Sequence, residues 1–194
     1  MLFVIQGPSG SGKTTQAEFL AERPDFFRLI TATTRPPRPG EIDGADYYFL
    51  SAEAFSKKKC AGALLATTEI HGACYGIPKT DLDALVQDKN RHAVVVLDDT
   101  GAKEVQAMGA KRICFVIEEK ARTQRLLARK ENGRFLPERI DNRRCDLIVD
   151  ASGREDAIRQ TIETYIEGCL HAYSLHTKKA RRFCALPFEI AVMP

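Results

Sequence analysis

Apolar runs recur along the chain, separated by polar, helix-forming stretches. Leu2-Phe3-Val4-Ile5 is short and rich in strand formers, so it predicts a buried strand. A glycine cluster follows, and then residues 15–23, mostly good helix formers, stopped by Pro24. Residues 29–33 and 46–50 predict two further strands. Ser51 is placed to cap a short helix ending near Gly62. Residues 63–70 read as a strand with a short return through Gly72 and Tyr75-Gly76. A helix then starts at Thr80 with first-turn acids and runs to about Gln87. Ala93-Val94-Val95-Val96-Leu97 is apolar without alternation, as in a strand covered on both faces, and Asp98-Asp99 closes it. A helix over 102–108, a strand over 113–117, a helix over 121–130, a strand over 147–149 and a helix over 156–168 complete the series. Such alternation predicts an α/β fold around a parallel sheet.

The glycine cluster carries chemistry. Gly7-Pro8-Ser9-Gly10-Ser11-Gly12-Lys13-Thr14, with Thr15 after it, fits G-x-x-x-x-G-K-[ST] between a predicted strand and a predicted helix. Glycines let consecutive N–H groups turn into a concave nest, and the helix N-terminus behind adds partial positive charge. Lys13 is suited to reach the β- and γ-phosphates of a nucleoside triphosphate, and the Thr14 hydroxyl to ligate Mg²⁺. The expectation is a P-loop that binds ATP with Mg²⁺.

Composition narrows the class without naming it. At 194 residues the chain suits one domain, and a net charge of +3 argues for neither nucleic acid nor a membrane surface. No run approaches the ~20 apolar residues of a membrane span, and the N-terminal run lacks the basic flank of a signal peptide. Cys60, Cys74, Cys114, Cys145, Cys169 and Cys184 form no C-x-x-C pair, which predicts reduced thiols in a cytoplasmic protein. His71, His92, His171 and His176 have no metal-ligand spacing.

Two arginine clusters turn phosphate binding toward phosphoryl transfer, which needs cations on both sides of the migrating group. Arg35 and Arg38 sit in Thr34-Arg35-Pro36-Pro37-Arg38-Pro39-Gly40, where prolines forbid a helix and stiffen the loop. A second group surrounds residues 129–144. With GPSGSGKTT, ATTRPPRPGEIDGADYYFL, EIHGACYGI and VVVLDDTGAKEV in this order, the sequence resembles the guanylate kinase family over residues 1–168.

The resemblance implies a three-layer P-loop core with a parallel sheet, a small acceptor-binding insertion and a short lid. The guanylate kinase-like domain would span 1–170, with the core at 1–30 and 81–170, the insertion at 31–80 and the lid at 130–144. It implies ATP-dependent phosphorylation of a nucleoside 5'-monophosphate, GMP or dGMP by default. Arg35 and Arg38 would grip the acceptor phosphate, helped by Tyr47 and Tyr75. Asp98 would lie near the acceptor nucleoside and the metal's water shell, Thr31 would offer a hydroxyl to the base, and lid residues Arg134 and Arg139 would meet the donor phosphates. Lys13, Arg35, Asp98 and Arg139 are the expected catalytic set.

The match departs at the base. Aligned on Gly72 and Tyr75-Gly76, Ala66 and Ile77 fall where the family reads guanine with a glutamate and a hydroxyl. Guanine there would leave polar groups unpaired at ~1–3 kcal/mol each. Either Thr67, Thr68 or backbone reads the base, or the acceptor differs. A kinase for another phosphorylated acceptor, such as ribose 1,5-bisphosphate, is therefore a second reading. The intact arginine segment argues against it. A non-catalytic phosphopeptide-binding module is a third, opposed by the intact Lys13 and Thr14. The tail, 171–194, carries a basic cluster at 176–182 and an apolar stretch at 183–193. It is expected to pack on the domain or on a second copy; no nucleic-acid partner is expected.

Overall fold

The computed structural model describes residues 1–88, 90–128 and 142–184, with side chains described up to residue 175. A five-stranded sheet has the order β2-β7-β1-β8-β9, formed by β1 (Leu2–Gln6), β2 (Phe26–Arg28), β7 (His92–Val96), β8 (Lys111–Val116) and β9 (Leu147–Asp150). Every pairing in it is parallel. The unbroken apolar runs have a direct cause, because both faces are covered. Phe3, Ile5, Ile113 and Phe115 face one side, where α1 (Lys13–Ala21) and α6 (Glu155–Cys184) lie, while Val4 and Val95 face α4 (Asp99–Ala107) on the other. Helix α6 docks through Ile158, Ile162 and Ile166, spaced four apart on one stripe, and each buried isoleucine contributes ~1.5–3 kcal/mol.

A second sheet of order β4-β3-β6-β5 stands apart from the first. It comprises β3 (Ala32–Thr33), β4 (Tyr48–Phe49), β5 (Leu64–Ile70) and β6 (Ala73–Pro78). Helix α2 (Ala52–Cys60), capped by the Ser51 hydroxyl accepting from Ala54 N–H, packs Phe55 beneath this sheet; α3 (Lys79–Gln87) buries Leu82 where the sheet meets the main core.

Several expectations change. The single strand expected over 29–33 narrows to β3 at Ala32–Thr33, and the main-sheet strand β2 ends before it at Arg28: Leu29 N–H still bonds Val94 of the main sheet, whereas the Thr31 carbonyl already accepts from Tyr48. The chain crosses between sheets there, which a propensity run cannot show. The short return through Gly72 is a full strand, β6, paired antiparallel with β5. The last helix continues past residue 168 to Cys184, 30 residues and so ~45 Å in all. The reduced-thiol expectation is corrected as well. Cys114 in β8 and Cys145 form a disulfide, because parallel pairing of β8 with β9 brings together two residues 31 apart in sequence.

Candidate active site

The glycine loop joins the central strand β1 to α1. A Cβ at Gly7 would stand 2.7 Å from Phe115 Cβ, so the loop can leave the sheet only through glycine. Gly12 caps α1 in the left-handed region with φ 85° and offers no side chain to the first-turn N–H groups, and no acid lies in that turn. An anion placed there would meet the first-turn amides at the positive end of the helix. Lys13 folds over the loop, its Nζ donating to the Pro8 carbonyl at 2.8 Å. From outside, α5 (Glu119–Ala128) braces the loop: Arg122, itself buried, donates to the Ser9 carbonyl at 3.2 Å.

One cleft runs from this loop to the second sheet. Gly7, Ser9, Gly10, Gly12, Lys13, Thr14 and Thr15 line one side; Arg35, Arg38, Tyr47 and Tyr75 line the other. Arg35 and Arg38 share Glu41. Its Oε1 accepts from Arg35 Nη2 at 2.8 Å, and its Oε2 accepts from the Arg38 backbone N–H at 2.7 Å. The Arg35 guanidinium lies 5.3 Å from the Tyr47 ring centre, and the rings of Tyr47 and Tyr75 meet edge-on at 6.2 Å. Burial alone would lower the Arg35 pKa, but the hydrogen bond and charge of Glu41, with Tyr75 beyond, raise it. Burial likewise favours the neutral Glu41 acid, yet Arg35 and the Arg38 N–H hold its pKa below the usual value. For Tyr47, burial and the neighbouring Tyr75 push the phenol pKa up. Glu41 thus holds the Arg35 side chain and the Arg38 backbone together, with the Tyr47 and Tyr75 rings beside them, an arrangement that suits a phosphate dianion.

The remaining wall comprises Thr31, Thr68, Ile70, His71, Leu97 and Asp98, with Val96 at the strand end. Asp98 caps α4, its Oδ1 accepting from Gly101 N–H at 3.0 Å, and its Oδ2 accepts from the Thr68 hydroxyl at 2.9 Å. Thr14 and Asp98, which follow the carboxyl ends of the adjacent strands β1 and β7, bring hard oxygens to one cleft, a donor set that fits Mg²⁺.

Ala66 and Ile77 do not line this cleft; both are buried in the core with Leu29 and Leu97. Ile77 pairs in regular register with Leu65, and Ala66 sits in a bulge of β5. Thr68 pairs with Tyr75, so Ala66 and Thr67 together oppose Gly76. Ala66 adopts φ 50°, turns its Cβ toward Gly101, and gives its N–H to Glu104 Oε1 at 2.9 Å. That extra residue brings Thr68 onto the cleft wall. Ser11 is buried behind the loop and faces a second cavity, with Thr15, Gln16, Arg125, Gly153 and Glu155; Ser11 Oγ and Gln16 Oε1 are buried there without a partner among the described residues. Arg134 and Arg139 lie outside the described residues. Sequence reasoning missed Ile70, His71 and the bracing by Arg122. His71 carried a signal only as the residue before Gly72; its φ of 50° is a turn conformation that the adjacent glycine hints at.

A parallel sheet with its glycine nest at the carboxyl end of the central strand, facing an arginine pair on the β3–β4 loop of the second sheet, defines a P-loop nucleotide-binding protein. The guanylate kinase model matches residues 1–165, and the chain belongs to the guanylate kinase family. It is similar to the guanylate kinase of Maricaulis maris, 41% identical over 108 residues, which are 55% of this chain and 49% of that one. The guanylate kinase of Symbiobacterium thermophilum is 36% identical over 147 residues, 74% of this chain and 68% of that one. The chain thus spans about half the length of the first of these relatives and about two thirds of the second. The crystal structure of guanylate kinase from Anaplasma phagocytophilum superposes with a TM-score of 0.68 at 27% identity, covering 89% of this chain and 85% of that one.

Proposed function

We propose that the protein transfers the γ-phosphoryl group of ATP to a nucleoside 5'-monophosphate, with GMP and dGMP the acceptors its relatives' name suggests. One observation carries this: Lys13 and Thr14 at the glycine loop, and Arg35 and Arg38 on the loop between β3 and β4, line a single cleft. The loop amides and Lys13 hold the donor phosphates, and the two guanidiniums hold the acceptor phosphate, so that donor and acceptor oxygens meet between cations. Mg²⁺, held by Thr14 and approached by Asp98, would supply charge neutralisation on the transferred group. Within this reading 31–80 is the acceptor-binding insertion and 130–144 a lid bringing Arg134 and Arg139 to the donor, with 171–194 a tail outside the kinase domain. Use of ATP supports a cytoplasmic setting; among the described residues no helix is long and apolar enough to cross a membrane.

The test is ADP release from ATP and Mg²⁺ with a panel of ribo- and deoxynucleoside monophosphates. Turnover is expected with at least one, and Lys13→Ala should lower kcat by ~10²-fold or more, as for loss of one preorganised stabilising group. Turnover indifferent to Lys13→Ala, or none with any acceptor, overturns the proposal.

A further inference from the structure

Guanine presents two adjacent donors, the ring N1–H and the exocyclic amine, beside the O6 acceptor, whereas adenine presents an acceptor at N1 beside its amine donor. A wall that selects guanine by hydrogen bonding must offer acceptors to that donor pair. Among the described lining residues Asp98 is the one carboxylate. Each of its oxygens already accepts one bond from the protein, Oδ1 from Gly101 N–H and Oδ2 from the Thr68 hydroxyl, so the protein sets the plane of the carboxylate and takes one lone pair of each oxygen. The neighbouring acids are committed elsewhere: Glu104 to Ala66 N–H, and Glu41 to Arg35 and Arg38. Glu69 is exposed and, next to Thr68 along the strand, points to the opposite face. What remains is Thr31, Thr68 and His71, which donate or accept as required, and the apolar Ile70 and Leu97.

We propose that this acceptor site selects its nucleotide through phosphate and sugar rather than through the guanine edge, and that Thr68 sets this breadth by committing the cleft's carboxylate to the protein. The inference rests on the kinase reading above. Thr68 is a positioning residue: it acts through Asp98, and its effect belongs to the ratio between bases.

Two measurements test it. The first is kcat/KM for GMP and AMP with ATP and Mg²⁺, with equilibrium binding of both nucleotides to the ATP-free protein by calorimetry. The two bases should fall within ~10-fold of one another, against the ~10⁴–10⁵ of a site built to hydrogen-bond its substrate. The second is Thr68→Val, close in shape but with no hydroxyl, which frees Asp98 Oδ2. The GMP-to-AMP ratio of kcat/KM should then rise about tenfold, the size of one hydrogen bond to a charged acceptor, and the ratio of the two binding constants from calorimetry should rise with it. A native preference for GMP above ~10³ overturns the inference while leaving the kinase proposal standing. An unchanged ratio in Thr68→Val removes the role of Thr68. Turnover with no monophosphate defeats both readings together.

Discussion

Removing Asp99 should destabilise the protein out of proportion to its exposure, because of the cation it leaves behind. Arg112 in β8 is 0% exposed, and its Nη2 donates to Asp99 Oδ1 at 2.8 Å and to Gln6 Oε1 at 2.7 Å, while Nη1 donates to Gln106 Oε1 at 3.1 Å. At 2.8 Å the gross attraction is about 6 kcal/mol for an effective dielectric constant of ~20. Desolvating the two ions costs several kcal/mol each, so the intact pair contributes little net stability. The variant Asp99→Ala removes the attraction and leaves the desolvated guanidinium facing two neutral amides. Losing one member of a buried pair costs ~3–5 kcal/mol. The Asp99 side chain keeps 25% exposure and also pairs with Lys103, which puts the expected loss near ~3 kcal/mol. With a urea m-value of ~3 kcal/mol/M, the unfolding midpoint should fall by about 1 M. The double variant Asp99→Ala/Arg112→Met removes the stranded charge and should recover more than half of the loss. A double variant no more stable than Asp99→Ala would refute the reasoning, as would a single-variant loss below ~1 kcal/mol.

Two further outcomes follow from the site and its surroundings. Glu41 has a depressed pKa, so its contribution is present above the ordinary glutamate value of ~4.3 and is lost as pH falls through the folded-state value; urea midpoints of wild type and Glu41→Gln should differ at pH 7 and converge as the medium is acidified below that folded-state value, and a constant difference would contradict the geometry. The Cys114–Cys145 bond closes a 31-residue separation, worth ~3.7 kcal/mol in the chain-entropy model, so Cys145→Ser or a reductant should lower Tm by roughly 10 °C, and a reductant-insensitive count of free thiols would refute the bond.

In the main sheet β1, β7, β8 and β9 were legible because their runs are apolar, whereas the edge strand β2 (Phe26–Arg28) was not read, being short and closed by an arginine. The glycine nest was legible too, since its fixed spacing states its own backbone requirement. What sequence concealed were features set by pairing across the chain. Ala66 and Ile77 were placed by alignment on Gly72 and Tyr75-Gly76, which carries no information on the bulge at Ala66–Thr67 or on the burial of Ile77 opposite Leu65. Arg112 sits beside an apolar run and reads as a strand-edge charge until Gln6, 106 residues away, is found beside it. The disulfide was invisible for the same reason, since its cysteines carry no local motif and meet only through β8–β9 pairing.

Helix α4 has one further consequence. It opens with Asp98 and Asp99, the first tied to Thr68 on the inserted sheet and the second to Arg112 beneath the glycine loop, and one turn later Glu104 holds the Ala66 amide. Two of the side-chain hydrogen bonds joining the inserted sheet to the core therefore end on a single helix. Any swing of that sheet away from the loop must release them, so the backbone proton of Ala66 becomes a natural reporter of the motion. Its deuterium uptake would time the opening, and slow uptake when both nucleotides are present would mark the closed form.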